Sequence, residues 1–122
     1  MINLDSQTDM YDTYQSACGP QTDLGGYIDS SPEKASMGSL RGIWICTKPL
    51  DGWDSGICDQ GSIIVNSALL TDYTQRRKTF CHEIGHSVGL WHGTGYGGCM
   101  VSGTSSNTAY ASHHVWHINT RF

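Results

Sequence analysis

The pattern of hydrophobic positions predicts one long amphipathic helix in the second half of the chain. Phe80, Ile84 and Val88 recur every four residues, which places them on one face of a helix. Asp72, followed three residues later by Gln75, resembles a capping box, so we expect the helix to begin just after Asp72. One face would then pack against a core, while the opposite face presents polar side chains to a cleft.

Two short segments before this helix have the composition of β-strands. Residues 41–47 are rich in aromatic and β-branched side chains, and residues 62–66 form a short apolar run typical of a buried strand. Residues 1–40 are polar and rich in Ser, Thr, Asp and Gly, which predicts loops with one short strand near Asp9–Tyr14. A second, shorter helix is expected from about Tyr110 to Asn119.

Length and charge narrow the possible functions. A chain of 122 residues predicts a single domain, residues 1–122. The net charge is −4, and the one basic cluster, residues 76–78, is expected on a solvated helix face, so nucleic-acid binding is not predicted. No apolar run approaches the length of about 18 residues that a membrane span needs. Residues 1–10 lack the basic and apolar regions of a signal peptide.

The strongest chemical signal lies on the predicted helix. The pattern H-E-x-x-H-x-x-G-x-x-H begins at His82, and its fixed positions are His82, Glu83, His86, Gly89 and His92. Residues four apart share a helix face, so His82 and His86 can reach one ion at about 2.0–2.1 Å. Gly89 can adopt a left-handed conformation and end the helix, after which the chain can bring in His92.

This ligand set predicts a catalytic zinc site. Three protein ligands leave the fourth tetrahedral position of one Zn²⁺ open for water. Glu83 follows the first ligand directly, where its carboxylate can reach that water and act as general base. The motif therefore predicts Glu83 as the catalytic residue and His82, His86 and His92 as metal ligands.

Only histidines are available as a third ligand after the helix. No Asp or Glu follows Glu83, and the remaining candidates are His92, His113, His114 and His117. His92 has the required spacing behind Gly89, so we assign it. We expect the three later histidines to hydrogen-bond to nearby backbone or to lie in solvent. A supporting role beneath the zinc site is the alternative.

The motif and a methionine eight residues after His92 resemble the metzincin clan of zinc endopeptidases. Metzincins have a tight Met-turn below the zinc, and Met100 stands where the resemblance places its methionine. The sequence from Tyr110 to Asn119 is also similar to the closing helix of small secreted actinobacterial-type metalloproteases of this clan. The resemblance is specific from about Gly61 onward, and the residues before Arg41 match no part of the family.

The resemblance implies a zinc-dependent endopeptidase with a small α+β fold. An upper α/β-type subdomain, about residues 1–92, would hold a short twisted mixed sheet and the zinc helix. A lower subdomain, about residues 93–122, would hold the Met-turn and a C-terminal helix. The substrate would be a protein or peptide in extended conformation, bound along the sheet's edge strand, for which residues 41–47 or the following loop are the best candidate. We expect a monomer.

Two departures leave an alternative open. Some metzincins carry a tyrosine two residues after the methionine, but Ser102 stands there, so no tyrosine is assigned to the zinc. The region before the helix is short for the family. A catalytically impaired or truncated zinc-binding secreted domain, with a non-enzymatic binding role, is therefore the second reading. The intact Glu83 argues against it, because zinc binding alone does not require that carboxylate.

Five cysteines in a short chain indicate an oxidising compartment and a secreted protein, although an intracellular zinc protein could also carry them. Two pairings make mechanical sense. Cys81 with Cys99 would tie the zinc helix to the Met-turn, and Cys46 with Cys58 would close a turn-rich loop. Cys18 is left over. The cysteines include no C-x₂-C pair, so a structural zinc ribbon is not predicted.

Three aspartates near the second strand could suggest calcium. They are Asp51, Asp54 and Asp59. Their spacing does not match an EF-hand loop, so we expect turn-forming residues and assign no calcium site.

Overall fold

The computed structural model describes residues 4–28, 37–52, 56–93 and 95–122. In chain order its elements are helix α1 (Leu4–Gln7), strands β1 (Leu24–Ile28), β2 (Gly42–Pro49) and β3 (Cys58–Val65), and helices α2 (Tyr73–Ser87) and α3 (Ser112–Arg121). Helices and a three-stranded mixed sheet occur together, which is consistent with the expected small α+β domain. No helix in these ranges is long and apolar enough to span a membrane.

The sheet has the order β1-β3-β2, with β3 in the centre. β3 pairs in parallel with β1 and antiparallel with β2. Residues 61–65 of β3 are all buried, as expected for a central strand covered on both faces. The strand predicted at residues 41–47 is confirmed as β2, and it lies at an edge of the sheet. The predicted buried strand is also confirmed, although it begins earlier, at Cys58.

The strand predicted near Asp9–Tyr14 is wrong. Tyr11 and Tyr14 have no regular structure and are 87% and 74% exposed. The strand in residues 1–40 is instead β1, which contains Gly25 and Gly26. Glycine is depleted in strands, so the composition of this segment did not predict one. At Gly26 a side chain would meet the ring of Phe80 on α2, with Cε1 only 3.2 Å from the Cβ position. The close approach of α2 therefore explains why a glycine stands here within a strand, although glycine in the sequence favours a loop.

Helix α2 begins as predicted. Asp72 is extended and accepts a hydrogen bond from the Gln75 N–H at 2.9 Å, which satisfies a free donor of the first turn. In a full capping box the Gln75 side chain would bond back to the Asp72 backbone N–H. Here the Gln75 side chain instead donates to the Ser105 carbonyl at 3.1 Å. Asp72 thus fixes the start of the helix, while Gln75 binds the loop that contains Ser105.

The helix also ends as predicted. Gly89 has φ +84°, in the left-handed region that favours glycine. The Leu90 N–H donates to the Gly85 carbonyl at 2.9 Å, and the Gly89 N–H donates to the His86 carbonyl at 3.0 Å. These two bonds form a Schellman motif, which turns the chain back across the end of α2.

Two hydrophobic clusters enclose α2, where the sequence predicted one buried face. The first lies against the sheet and consists of Ile63, Val65, Leu70 and Ile84. The second lies on the other side and consists of Cys81, Leu90, Cys99, Met100, Tyr110 and Ile118. Most of the middle of α2 is therefore buried.

Both predicted disulfides are present. Cys46–Cys58 joins β2 to β3, and Cys81–Cys99 joins α2 to the turn before Met100. Closed loops of this length stabilise a fold by on the order of 3 kcal/mol each. Cys18 is exposed and not disulfide-bonded.

Among the residues that the structure describes, neither Asp51 nor Asp59 belongs to a cluster that could hold a metal ion. Asp59 forms an ion pair with Lys48 at 2.6 Å, which occupies its carboxylate. Asp51 lies in the turn after β2, and Asp54 lies outside the described residues.

Candidate metal centre

The structure brings the three predicted ligands together. One ring nitrogen from each of His82, His86 and His92 lies within 4.8 Å of the others. Nε2 of His82 and Nε2 of His86 are 3.1 Å apart. Two nitrogens that bind one tetrahedral ion at 2.0–2.1 Å would be about 3.3 Å apart. The three histidines therefore lie close enough to bind a single metal ion.

Backbone carbonyls orient two of the rings. His82 Nδ1 lies 2.8 Å from the Cys99 carbonyl oxygen, and His86 Nδ1 lies 2.8 Å from the Leu90 carbonyl oxygen. A carbonyl oxygen only accepts, so each Nδ1 must carry the hydrogen and donate it. The lone pair is then on Nε2, which faces the shared centre. This arrangement fixes the tautomer that a metal-binding imidazole requires.

The Schellman turn and the Cys81–Cys99 disulfide position the two orienting carbonyls. The Schellman turn places Leu90 back over His86, and the Cys81–Cys99 disulfide holds the Cys99 carbonyl beside His82. His92 follows on the next segment and is exposed. The Gly93 N–H donates to the Met100 carbonyl at 3.1 Å, which ties the segment carrying the third ligand to the same turn.

Burial keeps the two helical rings neutral. It lowers the pKa of His82 to about 4; the hydrogen bond to the Cys99 carbonyl opposes this shift, and the charges of Lys78, His86 and His92 add to it. Burial also lowers the pKa of His86. Both rings are therefore uncharged at neutral pH, which is the form that donates to a metal.

Met100 packs against α2 at Gly85, next to His86. It is completely buried in the cluster that covers α2. There is no room for a side chain at Gly85, because the Met100 sulfur occupies that space and Tyr110 Cε1 lies 3.2 Å from the Cβ position. The Tyr110 hydroxyl donates to the Cys81 carbonyl at 3.0 Å. Gly85 thus lets the methionine and the tyrosine pack against the helix one residue before His86.

Glu83 lies between α2 and the edge strand β2. It is 7% exposed, and its Oε1 lies 3.0 Å from the Cβ position of Gly42. Burial raises the pKa of Glu83 to about 7, opposed by the nearby Lys78 ammonium and by a hydrogen bond from the Trp44 backbone N–H. The carboxylate contacts β2 and is not a member of the histidine cluster.

The prediction that residues 76–78 lie on a solvated helix face is wrong for Lys78. Lys78 is 4% exposed, and its ammonium donates to the carbonyls of Val101 and Gly103 at 2.5 and 3.0 Å. A long aliphatic stem allows a lysine to cross apolar surface and place its charge on distant acceptors. Sequence reasoning missed this contact, which anchors the segment after Met100 to α2.

The later histidines differ from one another. His117 is exposed, as expected, but His114 is buried, and its Nδ1 has no hydrogen-bond partner among the described residues. The His114 ring fills the space where a side chain at Gly93 would lie. His114 therefore packs against the segment that carries His92. This position agrees better with a supporting role near the proposed zinc site than with a histidine in solvent.

No protein-family model matches this chain, and no curated protein or solved structure matches it at a significant level.

Proposed function

We propose that this protein is a zinc-dependent endopeptidase of the metzincin type. The observation that carries the proposal is the convergence of three histidine nitrogens, two of them held by backbone carbonyls in the metal-binding tautomer. A structural zinc site closes all four positions with protein ligands, whereas the three-histidine set leaves one open for chemistry.

The donor set fits Zn²⁺. Neutral imidazoles suit zinc, while the hard ions Ca²⁺ and Mg²⁺ prefer oxygen ligands, none of which belongs to the cluster. When bound, the ion polarises a peptide carbonyl and lowers the pKa of an attacking water toward about 7. The three rings hold the ion, and the Cys99 and Leu90 carbonyls keep two of those rings aligned.

Glu83 acts as the general base. It takes a proton from the attacking water and delivers that proton to the leaving nitrogen of the cleaved peptide bond. The Trp44 N–H and the Lys78 ammonium favour its charged form, while burial opposes it. Glu83 directly follows His82 on α2, so the base and the first ligand share one rigid element.

The edge strand β2 binds the substrate. One side of β2 pairs with β3, and no described strand pairs with its other side. An extended protein or peptide can add to such an edge through main-chain hydrogen bonds. β2 also contacts Glu83 at Gly42 and Trp44. A chain bound along β2 would therefore pass beside the proposed base.

The metzincin assignment draws on two further features. Met100 is buried against α2 at Gly85, next to His86, and in this proposal it takes the part of the Met-turn methionine. The disulfides Cys46–Cys58 and Cys81–Cys99 are consistent with a secreted protein. In this proposal residues 1–122 form one catalytic domain that works as a monomer.

Proteolysis of an unfolded protein mixture tests the proposal. The zinc-loaded protein should cleave denatured casein, a strong chelator should stop cleavage, and added Zn²⁺ should restore it. Glu83→Gln should retain zinc and lose at least about 10²-fold in rate, on the scale of general-base catalysis. A Glu83→Gln variant that cleaves as fast as wild type would sink the mechanism. Sequencing the fragments would also reveal the side-chain preference.

A zinc-binding domain without catalysis is the second candidate. The contact between the Glu83 carboxylate and β2 favours it, because a general base has to reach the water at the metal. One tightly bound zinc per chain, with no cleavage of any denatured substrate, would support this candidate over the endopeptidase.

A further inference from the structure

A second pair of histidines lies on α3, outside the three-histidine cluster. His113 and His117 are four residues apart, so they share one face of the helix. Their ring centroids are 4.5 Å apart and their planes meet at 87°. For His82 and His86 on α2 the corresponding values are 4.7 Å and 88°. The rings of the α3 pair thus have nearly the same spacing and inclination as those of two proposed zinc ligands.

The surroundings of this pair leave space for an ion. Tyr96 stacks on the His113 ring, with centroids 3.7 Å apart and planes inclined by 18°, which fixes the orientation of that ring. No hydrogen bond joins the His113 or His117 ring to another described residue, so their nitrogens are open to a ligand. Both rings line a cavity of about 290 Å³ whose wall also includes His92. A water occupies about 30 Å³ in the liquid, so an ion with several waters would fit.

The type of donor narrows the choice of ion. Imidazole nitrogens suit transition-metal ions such as Ni²⁺, Cu²⁺ and Zn²⁺, whereas Ca²⁺ and Mg²⁺ prefer oxygen ligands. Two imidazoles four residues apart on one helix face can reach a single ion of this class. We propose that His113 and His117 bind a second divalent transition-metal ion, with water completing its coordination.

This site is independent of the proposed zinc centre. The two sites share no ligand, and each pair lies on its own helix. Two protein donors hold an ion less tightly than three, so we expect a weaker and more readily reversible site. The proposal therefore holds whether or not the chain is a protease.

A titration with Ni²⁺ tests the second site. The protein is first loaded with one equivalent of Zn²⁺ and freed of excess metal, and Ni²⁺ is then added in a calorimeter. We expect one further equivalent to bind. His113→Ala and His117→Ala should each weaken this binding at least about 10-fold, the effect seen even for outer partners of a metal site. Ser112→Ala, at an exposed neighbouring position on the same helix, should bind as wild type does.

A second comparison separates this site from the zinc centre. In a His92→Ala background, which breaks the first site, adding His117→Ala should still remove one equivalent of Ni²⁺. His117 is exposed, so circular dichroism should show that its variant remains folded. The proposal is overturned if zinc-loaded wild type takes up no Ni²⁺, or if the two α3 variants bind Ni²⁺ as tightly as wild type. Equal uptake of Ca²⁺ would also overturn it, since imidazole pairs do not select that ion.

Discussion

At the residue scale, the chemistry of each histidine is decided by its partner. His82 and His86 each donate an Nδ1 hydrogen to a carbonyl and turn Nε2 inward, toward His92. His114 has the same side chain, yet its buried Nδ1 meets no described partner. The chain has six histidines, and composition alone gives no difference between them. In the structure they differ in hydrogen bonding and in burial.

Removing His92 should lower the metal content. His92→Ala leaves two ligands on α2, and two imidazoles hold zinc more weakly than three. We expect well below one zinc per chain after dialysis against metal-free buffer, measured by atomic emission. Trp91→Ala changes the exposed neighbour and should retain one zinc. Full zinc retention in His92→Ala would show that this histidine is not a ligand.

Filling the space at Gly85 should destabilise the protein. Alanine favours a helix over glycine by up to about 1 kcal/mol, but its methyl group would overlap the Met100 sulfur. Overpacking of this kind costs about 1–3 kcal/mol, so we expect a lower free energy of unfolding in urea. Combining Gly85→Ala with Met100→Ala should make the two losses less than additive. Additive losses would show that the two side chains do not compete for one space.

At the element scale, α2 owes its position to both of its ends and to one long side chain. Asp72 caps the start, the Schellman turn at Gly89 closes the end, and Lys78 reaches the carbonyls after Met100. A helix held at these three points keeps His82 and His86 in fixed register with the turn at Cys99. Precise placement of ligands requires such a rigid support.

Loss of the α2 cap should be felt as lost stability. Asp72→Ala removes the acceptor of the Gln75 N–H, and such a change costs about 1 kcal/mol. Thermal unfolding followed by circular dichroism should show a lower Tm. Asp72→Ser retains a capping oxygen and should stay near wild type. If both variants unfold alike, the side-chain oxygen at this position contributes no stability.

At the scale of the whole molecule, the two disulfides act in different places. Cys46–Cys58 braces the edge of the sheet, whereas Cys81–Cys99 links α2 to the turn that supplies a carbonyl to His82. The second disulfide therefore supports both the fold and the three-histidine cluster. Both hydrophobic clusters include a side chain of α2, Cys81 in one and Ile84 in the other, so the helix is packed from two sides.

Removing each disulfide separates these roles. Double replacement of Cys46 and Cys58 by Ala, or of Cys81 and Cys99 by Ala, should cost on the order of 3 kcal/mol in unfolding free energy. Only the second should also weaken zinc binding, because the Cys99 carbonyl orients His82. A competition assay with a zinc chelator measures that difference. Equal zinc affinity in both variants would contradict the link between this disulfide and the ligand.

The sequence by itself determined the local features. The cap at Asp72, the helix stop at Gly89, the strand at residues 41–47 and both disulfide pairings were predicted correctly. The three histidines that the motif predicts as metal ligands lie close enough together to bind one ion. These features depend on neighbours a few residues away or on a fixed spacing between residues. Both can be obtained directly from the sequence.

Tertiary structure alone decided what depends on distant parts of the chain. β1 forms because β3 supplies a partner strand and Phe80 requires a glycine opposite it, which no local pattern encodes. Lys78 is buried because carbonyls more than twenty residues later accept its charge. The orientation of His82 depends on the Cys99 carbonyl for the same reason. Packing and hydrogen bonding act through space, so their partners are fixed only when the chain has folded.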